Sequence, residues 1–487
     1  MKAVLACRGR SLRRGLVRTM LGRCLLAMPF AAIALVADDS AAADFQVLAS
    51  EVSAEFPAQG GIRMDSVARW GGDVTAARYV LGNGLTLLVM NDPSAPIVSM
   101  QTWLGVGSRQ EHKGHTGIAH LFEHLMFKGT HEHPHSVFDR LLERAGAQTN
   151  AATWLDWTFY FENLPASELE LAMRLESDRL VNLVLTQEQL DSEREVVKNE
   201  RLYRVDNDPD GRIEEALFEA LFPVHPYGRP TLGYTADLDG LTLEDCLAFY
   251  RTWYSPSNVT LVVVGDVGHR DVLRLVARYY GGMARVDVPL GVPAAEPDSL
   301  DGPRMQTLKL SIAAQRVRMG WRTVPAVSND IFALDVINEV LFATESSRIH
   351  ERLVERLAVA SDVDGASEPM ALDGVFVVDV SMNEGQSASE AAEVVFREIE
   401  RLAAQGPTKV ELDRARNHLE AAFLRSLVTA GARATQLGTY ERTAGDYRRM
   451  FGFVDGVRGV RAADVKRVAF RYLSRKRAVL VYGRPVE

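Results

Sequence analysis

Two distant stretches of this 487-residue chain share one order of features. Residues 241–265 and 460–483 each read as a helix with an aspartate near its start, an aromatic pair, a short turn and an apolar strand that ends in glycine. Their offset is about 220 residues, far longer than the roughly 20 to 50 residues of solenoid repeats. The pattern therefore predicts a duplicated domain.

Two more pairs of segments support the duplication. Residues 186–191 match 408–413, each at the start of a long helix, and residues 119–126 match 335–342. Chance similarity between amphipathic segments is the alternative, because no single match is strong. We expect an α+β protein of two homologous α/β-sandwich domains with mostly antiparallel sheets, each of about 200 residues.

The amino terminus has the features of a signal peptide. Residues 1–23 carry seven basic side chains and no acidic one, residues 24–37 are an apolar run of 14, and Ala41, Ala42 and Ala43 suit a cleavage site. We expect a signal peptide over residues 1–43 and a periplasmic or secreted protein. An uncleaved anchor is the alternative. Arg13 and Arg14 only weakly resemble a twin-arginine signal, so the export route stays open.

Cleavage would change the charge and the cysteine content. The formal net charge is −9. Removal of seven basic and two acidic residues leaves 48 basic against 62 acidic residues, a net charge of −14. Such acidity argues against a general nucleic-acid binder. Only Cys246 would remain, so no internal disulfide is expected.

The mature chain reads as alternating strands and helices. The pattern predicts a hairpin at Asn83-Gly84, a buried strand over 259–264, and helices over 116–128, 166–182 and 186–205. Residues 288–304 are rich in Pro, Gly, Ala and Asp and predict a linker. The predicted parts are an N-terminal extension (44–74), a first domain (75–287), this linker and a second domain (305–487), with no membrane span in the mature chain.

The chemistry concentrates in the first copy. His120 and His124 are four residues apart in a helical stretch, so two imidazoles one turn apart can bind one metal ion. Glu123 lies next to the second histidine and can reach a metal-bound water. The order is the inverse of the commoner H-E-x-x-H zinc motif. A pair of surface histidines is the alternative, because seven of the eleven histidines lie between residues 112 and 135.

A catalytic zinc site needs a third protein ligand. Glu193 and Glu200 are seven residues apart on one predicted helix and share a face. A solvated, charged helix would show the same pattern. The repeat argues against this alternative, because the second copy lacks every candidate ligand and carries apolar residues there: Val336, Val340, Ala415 and Ala422.

These motifs together resemble the pitrilysin family of metallopeptidases, over about residues 75–487. The similarity is closest to the branch that includes the mitochondrial processing peptidase. The resemblance implies one zinc ion per chain, a peptide substrate, Glu123 as general base and Glu193 as a supporting carboxylate. It also implies that the metal ligands are His120, His124 and Glu200, and that Asn150 and Ala151 begin an edge strand that pairs with substrate. The β-branched and aromatic residues 153–161 favour a strand there.

One departure from the family suggests a partner. Family members place an Arg and a Tyr, seven residues apart, in the second half of the active unit, where this chain aligns Val354 and either Val359 or Ala360. We therefore expect half of a clamshell, completed by a homologous subunit without the zinc motif or by a second copy of the chain.

Two other functions remain as alternatives. One is a non-catalytic peptide-binding or structural subunit of the same fold. The other is a metal-binding protein that uses the histidines between residues 112 and 135. Residues 225–230 also resemble a family segment, for which we expect a structural role.

Overall fold

The computed structural model describes residues 39–70, 74–134, 136–289 and 303–486. Most of the predicted signal peptide and residues 290–302 of the predicted linker lie outside these ranges. The predicted domain boundaries stay predictions. The helix α1 (Asp39–Glu55) includes the predicted cleavage point and packs against the first strand of the molecule.

The first half of the chain builds a seven-stranded sheet within the described residues. Its order is β1-β2-β3-β7-β4-β6-β5, and only β3 and β7 run parallel among the neighbours described. The strands are β1 (Ile62–Trp70), β2 (Val74–Leu81), β3 (Thr86–Asn91), β4 (Ile97–Leu104), β5 (Gln148–Thr153), β6 (Thr158–Pro165) and β7 (Val259–Gly265).

The second half repeats this arrangement in five described strands. The order is β8-β12-β9-β11-β10, with β8 and β12 parallel, and it matches the order β3-β7-β4-β6-β5 of the first sheet. The strands are β8 (Arg304–Leu310), β9 (Arg316–Arg322), β10 (Ala360–Pro369), β11 (Gly374–Met382) and β12 (Val479–Pro485). The predicted α+β fold and its duplication are confirmed.

Helices cover the sheets. In the first half they are α2 (Ile118–Leu125), α3 (Val137–Arg144), α4 (Leu169–Asn182), α5 (Gln187–Arg201), α6 (Pro209–Leu221), α7 (Thr235–Gly240), α8 (Leu243–Trp253) and α9 (His269–Tyr280). In the second half they are α10 (Asp330–Leu341), α11 (Arg348–His350), α12 (Ala388–Gln405), α13 (Lys409–Arg425), α14 (Ala430–Ala444), α15 (Phe453–Gly459) and α16 (Ala462–Tyr472).

Most predicted elements lie where the sequence indicated. The hairpin at Asn83-Gly84 joins β2 to β3, and the buried strand is β7. The predicted helix 186–205 is divided, because α5 ends at Arg201 and a π-helical turn follows over Leu202–Asp206. Among the described helices, none has both the length and the apolar content needed to cross a membrane.

The two halves exchange a helix. Helix α6 packs on the second sheet, where Leu217 joins a buried cluster with Val375 and Val481. Helix α14 packs on the first sheet, where Leu437 joins a cluster with Trp103 and Val262. Because each helix covers a sheet of the other half, the two hydrophobic cores close only when both halves are present.

Candidate metal centre

Helix α2 carries the first two candidate ligands. Leu121, Phe122 and Leu125 pack into the first core, so the opposite face of this short helix presents His120 and His124. The buried carboxylate of Glu111 accepts hydrogen bonds from the backbone N–H groups of residues 117 and 119, each at 2.9 Å. These bonds satisfy donors that the first turn of a helix leaves unpaired, and they fix where α2 begins.

Gly117 lets α2 begin at this place. Its φ is 87°, in the left-handed region, and a Cβ atom there would lie 2.8 Å from Cδ2 of Leu238 and 2.9 Å from Cα of Gly233. A side chain would therefore clash as well as strain the backbone. The glycine explains why the histidine motif follows a Gly-Ile-Ala segment.

Helix α5 carries the third candidate ligand. A capping box closes its start, in which the Thr186 side chain accepts from the backbone N–H of Gln189. Leu190 and Val197 are buried in the first core. The adjacent face of α5 turns Glu193 and Glu200 toward α2.

The three candidate ligands converge on one point. Oε2 of Glu200 lies 3.5 Å from Nε2 of His124 and 3.7 Å from Nε2 of His120. Ligand atoms that share a tetrahedral zinc ion at about 2.0 to 2.1 Å lie about 3.4 Å apart. Oε2 of Glu200 is also buried and accepts no hydrogen bond in the structure. The donor set and its spacing fit a zinc ion, since an unpartnered buried carboxylate oxygen is costly unless a cation meets it.

The predicted supporting carboxylate lies behind His124. Oε2 of Glu193 lies 3.2 Å from Nδ1 of His124, and its other oxygen lies 2.5 Å from Nζ of Lys128. Because this contact occupies Nδ1 of His124, Nε2 of the same ring points toward Glu200. Carboxylates behind ligating histidines commonly fix the ring orientation in this way.

Burial and charge set the protonation of the site. Burial lowers the pKa of His120 to about 3, so its ring is neutral at pH 7 and can bind a metal. Burial also acts to lower the pKa of His124, but the close Glu193 and Glu200 carboxylates outweigh burial and raise that pKa to about 9. Burial acts to raise the pKa of Glu200, yet the close His124 ring and the nearby charges of His120 and Arg204 lower it to about 2.

The candidate general base has a different environment. Burial raises the pKa of Glu123 to about 7, and a hydrogen bond from Thr153 opposes this shift. The Thr153 hydroxyl donates to Oε2 of Glu123 at 2.6 Å. A carboxyl whose pKa lies near neutrality is suited to take and return protons.

The predicted substrate strand lies beside the site. Strand β5 forms one edge of the described sheet, and it contains Asn150 and Ala151 in its interior, not at its start. The predicted strand over residues 153–161 is wrong as a single strand. A turn divides it, because the N–H of Trp154 bonds the carbonyl of Trp157 and the chain reverses into β6.

Residues 225–230 hold the turn between β5 and β6. The Tyr227 hydroxyl donates to the carboxylate of Asp156 at 2.8 Å, and Nε of Arg109 donates to the same group at 2.7 Å. Asp156 also accepts from the backbone N–H of Ala371 in the second half. The segment therefore makes structural contacts that join the hairpin to the other half.

The second copy has no comparable set of ligands among its described residues. Val336 and Val340 on α10, and Ala415 on α13, are buried in the second core. Glu339, which matches Glu123, lies 2.7 Å from Nδ1 of His418. The second core is therefore closed by apolar side chains at the positions that carry the two candidate histidine ligands in the first half.

Among the described residues, one other group of three potential metal ligands lies close together. Nδ1 of His133 is 2.9 Å from Oδ2 of Asp178, with Glu132 nearby. Asp178 also accepts hydrogen bonds from Thr130 and Asn182. These atoms satisfy one another, and Glu132 is exposed, so we assign the group a structural role.

Sequence reasoning missed three residues that hold the site. Lys128 and Arg204 each lie four residues after a candidate ligand, a spacing that places them on the same helix face and could have identified them. Nη1 of Arg204 lies 3.0 Å from Oε1 of Glu200. The other oxygen of Glu200, Oε2, therefore points toward His120 and His124. Nothing in the local spacing points to Thr153, because it reaches Glu123 through tertiary structure.

Family profiles match both halves of the chain. Residues 86–235 match "Insulinase (Peptidase family M16)". Residues 240–419 match "Peptidase M16 inactive domain". The first match contains all of the candidate ligands.

This chain aligns with nearly the whole length of several similar proteins. The zinc protease PqqE of Helicobacter pylori is 27% identical over 413 residues, which are 83% of this chain and 92% of that protein. An uncharacterized zinc protease of Mycobacterium leprae is 27% identical over 83% of this chain and 91% of that protein. The crystal structure of a protease from Helicobacter pylori superposes with a TM-score of 0.80 at 26% identity, over 84% of this chain and 99% of that one.

Proposed function

Because the chain belongs to the pitrilysin family of peptidases, M16, we propose that it is an exported zinc endopeptidase that hydrolyses peptides or unfolded polypeptides. The convergence of His120, His124 and Glu200, whose ligand atoms all lie within 4.8 Å of one another, carries the proposal, with Glu123 on the same helix as the two histidines. Several relatives are named zinc proteases, which supports the choice of metal.

The three ligands would hold one zinc ion per chain and leave one coordination position open. Zinc in such a site polarises the scissile carbonyl and lowers the pKa of a water molecule toward about 7. Arg204 holds one oxygen of Glu200, and Glu193 holds the ring of His124. These contacts orient the ligands before the ion arrives.

Glu123 moves the proton in the proposed reaction. Its carboxylate accepts a proton from the attacking water, and it returns a proton to the amine nitrogen as the peptide bond breaks. Thr153 occupies one carboxylate oxygen of Glu123. The other oxygen would then accept the proton of the attacking water.

Strand β5 would bind the substrate backbone. It lies at the sheet edge, where Asn150 and Ala151 can pair with an extended peptide. A peptide added to this edge would run past α2 and its ligands, since α2 and β5 are in contact. We expect extended or unfolded chains to bind in preference to folded ones.

The active unit would include a second, homologous subunit. Val354 and Val359 pack against the second core and Ala360 is buried within it, so these positions supply no polar group to a substrate. A partner without the zinc motif, or a second copy of the chain, would close the clamshell. We also propose export by a cleaved signal peptide, which the amino-terminal sequence of the mature protein would test.

Zinc content and peptidase activity test the proposal together. The purified chain is assayed for bound zinc and for cleavage of an unfolded fluorogenic polypeptide, alone and after co-expression with an encoded homologue that lacks the motif. We expect one zinc per chain and cleavage that Glu123→Gln abolishes. Absence of zinc would favour the non-catalytic subunit, and several ions per chain would favour the metal-binding alternative.

A further inference from the structure

We propose that Thr153 is a positioning residue for the general base, so that the strand that binds substrate also holds the catalytic carboxylate. This inference rests on the proposed peptidase function. The Thr153 hydroxyl donates to Oε2 of Glu123 at 2.6 Å, although the two residues lie on different elements. Thr153 ends β5 and Glu123 lies on α2.

Two acceptors lie near the hydroxyl proton of Thr153, and the Glu123 carboxylate is the nearer one. Oγ1 of Thr158 lies 3.3 Å from Oγ1 of Thr153, but Thr158 donates its own proton to the carbonyl of Val106 at 2.9 Å. A hydroxyl carries one proton, and bonds to a carboxylate are the stronger ones. Thr153 therefore donates to the Glu123 carboxylate, and the proton of Thr158 goes to the carbonyl of Val106.

The hairpin makes Thr153 a rigid donor. Thr153 pairs with Thr158 across β5 and β6, and the turn between them is held by the bonds to Asp156. A β-branched side chain also has a restricted χ1 angle. The donor thus keeps its direction as the carboxylate gains and loses a proton.

This arrangement connects substrate binding to the base. Asn150 and Ala151 lie three and two residues before Thr153 on the same strand. A peptide that pairs with β5 restrains the strand, and with it the donor that orients Glu123. Loss of the donor should therefore lower kcat and leave the KM, which reports the backbone pairing, nearly unchanged.

The test compares three variants of the full chain under the conditions in which the wild type is active. Thr153→Val has nearly the same shape but no donor, Thr153→Ser keeps the donor, and Thr158→Val removes the neighbouring hydroxyl that bonds Val106. We expect T153V to lower kcat about 10- to 100-fold with KM changed less than about twofold and with full zinc content. T153S should recover most of kcat, and T158V should lower the Tm but not kcat.

Crystal structures of T153V and T153S add a measurement that does not depend on activity. We expect the Glu123 carboxylate to stay bonded to the serine hydroxyl of T153S and to shift in T153V. Unchanged kcat in T153V, equal losses in T153V and T153S, or a loss confined to KM would each overturn the inference. A wild-type protein that binds no zinc would overturn the proposed function, whereas the carboxylate positions in the two variants would still decide the role of Thr153.

Discussion

Trp103 and Gly438 pack directly against each other across the two halves of the chain. A Cβ atom built on Gly438 in α14 would lie 2.2 Å from Cε2 of the Trp103 indole in β4. Trp103 is fully buried and stacks on Phe159 with ring centroids 4.3 Å apart. Because the ring cannot move aside, the absence of a side chain at residue 438 sets how closely α14 approaches the first sheet.

A substitution of Gly438 should therefore weaken the contact between the halves. We expect Gly438→Ala to lower the free energy of unfolding by about 1 to 3 kcal/mol, because an extra methyl group would force the helix away from the sheet. Urea denaturation measures the change. Gly459→Ala is the matched control, since a Cβ there meets nothing within 4 Å. Equal effects of the two variants would contradict the close packing.

Substitution of a candidate metal ligand should abolish zinc binding. We expect His120→Ala and Glu200→Ala to reduce bound zinc from one ion per chain to less than about a tenth of that, since two remaining ligands hold zinc weakly. Plasma mass spectrometry after dialysis measures the content. His112→Ala removes an exposed histidine of the same region and should keep one zinc. Loss of zinc in that control would show that the ligands are elsewhere.

A substitution of Glu123 should abolish catalysis without loss of the metal. Glu123→Gln keeps the shape of the side chain but cannot accept the proton, so we expect kcat to fall about 10²- to 10⁴-fold with zinc retained. Cleavage of an unfolded peptide substrate measures the loss. Glu143→Gln makes the same change on an exposed face of α3 and should be fully active. Wild-type turnover in Glu123→Gln would rule out Glu123 as the base.

Lys128 should affect zinc through Glu193. The ammonium group of Lys128 lies 2.5 Å from Glu193, which in turn holds His124. We expect Lys128→Met to weaken zinc affinity about 10-fold, as outer contacts of metal ligands commonly do. Competition with a chromogenic chelator measures the affinity. Lys113→Met is the exposed control and should bind zinc as the wild type does.

Asp335 predicts a pH-dependent stability of the second half. Burial and the charge of Glu339 raise its pKa from 3.8 to about 7, against the bond from Ser367. The folded protein then keeps a proton that the unfolded chain releases, so this contribution is complete below about pH 4 and is lost as the pH rises through about 7.

Asp335→Asn should remove this dependence. We expect the variant to gain about 4 kcal/mol in free energy of unfolding relative to wild type at pH 8 and almost nothing at pH 4. Urea denaturation at the two pH values measures both. Asp362→Asn removes the same charge from an exposed position of β10 and serves as the control. A gain of equal size at both pH values would contradict a raised pKa.

The sequence predicted the duplication and the ligand spacing because both are local patterns. The intervals from His120 to His124 and from Glu193 to Glu200 follow directly from helix geometry. Local sequence patterns could not predict that α6 and α14 each pack on the sheet of the other half. Leu217 and Leu437 show that each helix has an apolar face, but not which sheet that face covers. The link from Thr153 to Glu123 also depends on the hairpin turn, which the run of β-branched and aromatic residues concealed.

The helix exchange also fixes an order of events during synthesis. The face of the first sheet around Trp103 and Val262 stays uncovered until Ala444 at the end of α14 has left the ribosome. Helix α6, which follows α5, completes its contacts with the second sheet only when β12 has been made. The nascent first half thus exposes this apolar face until the second half has been synthesised as far as α14.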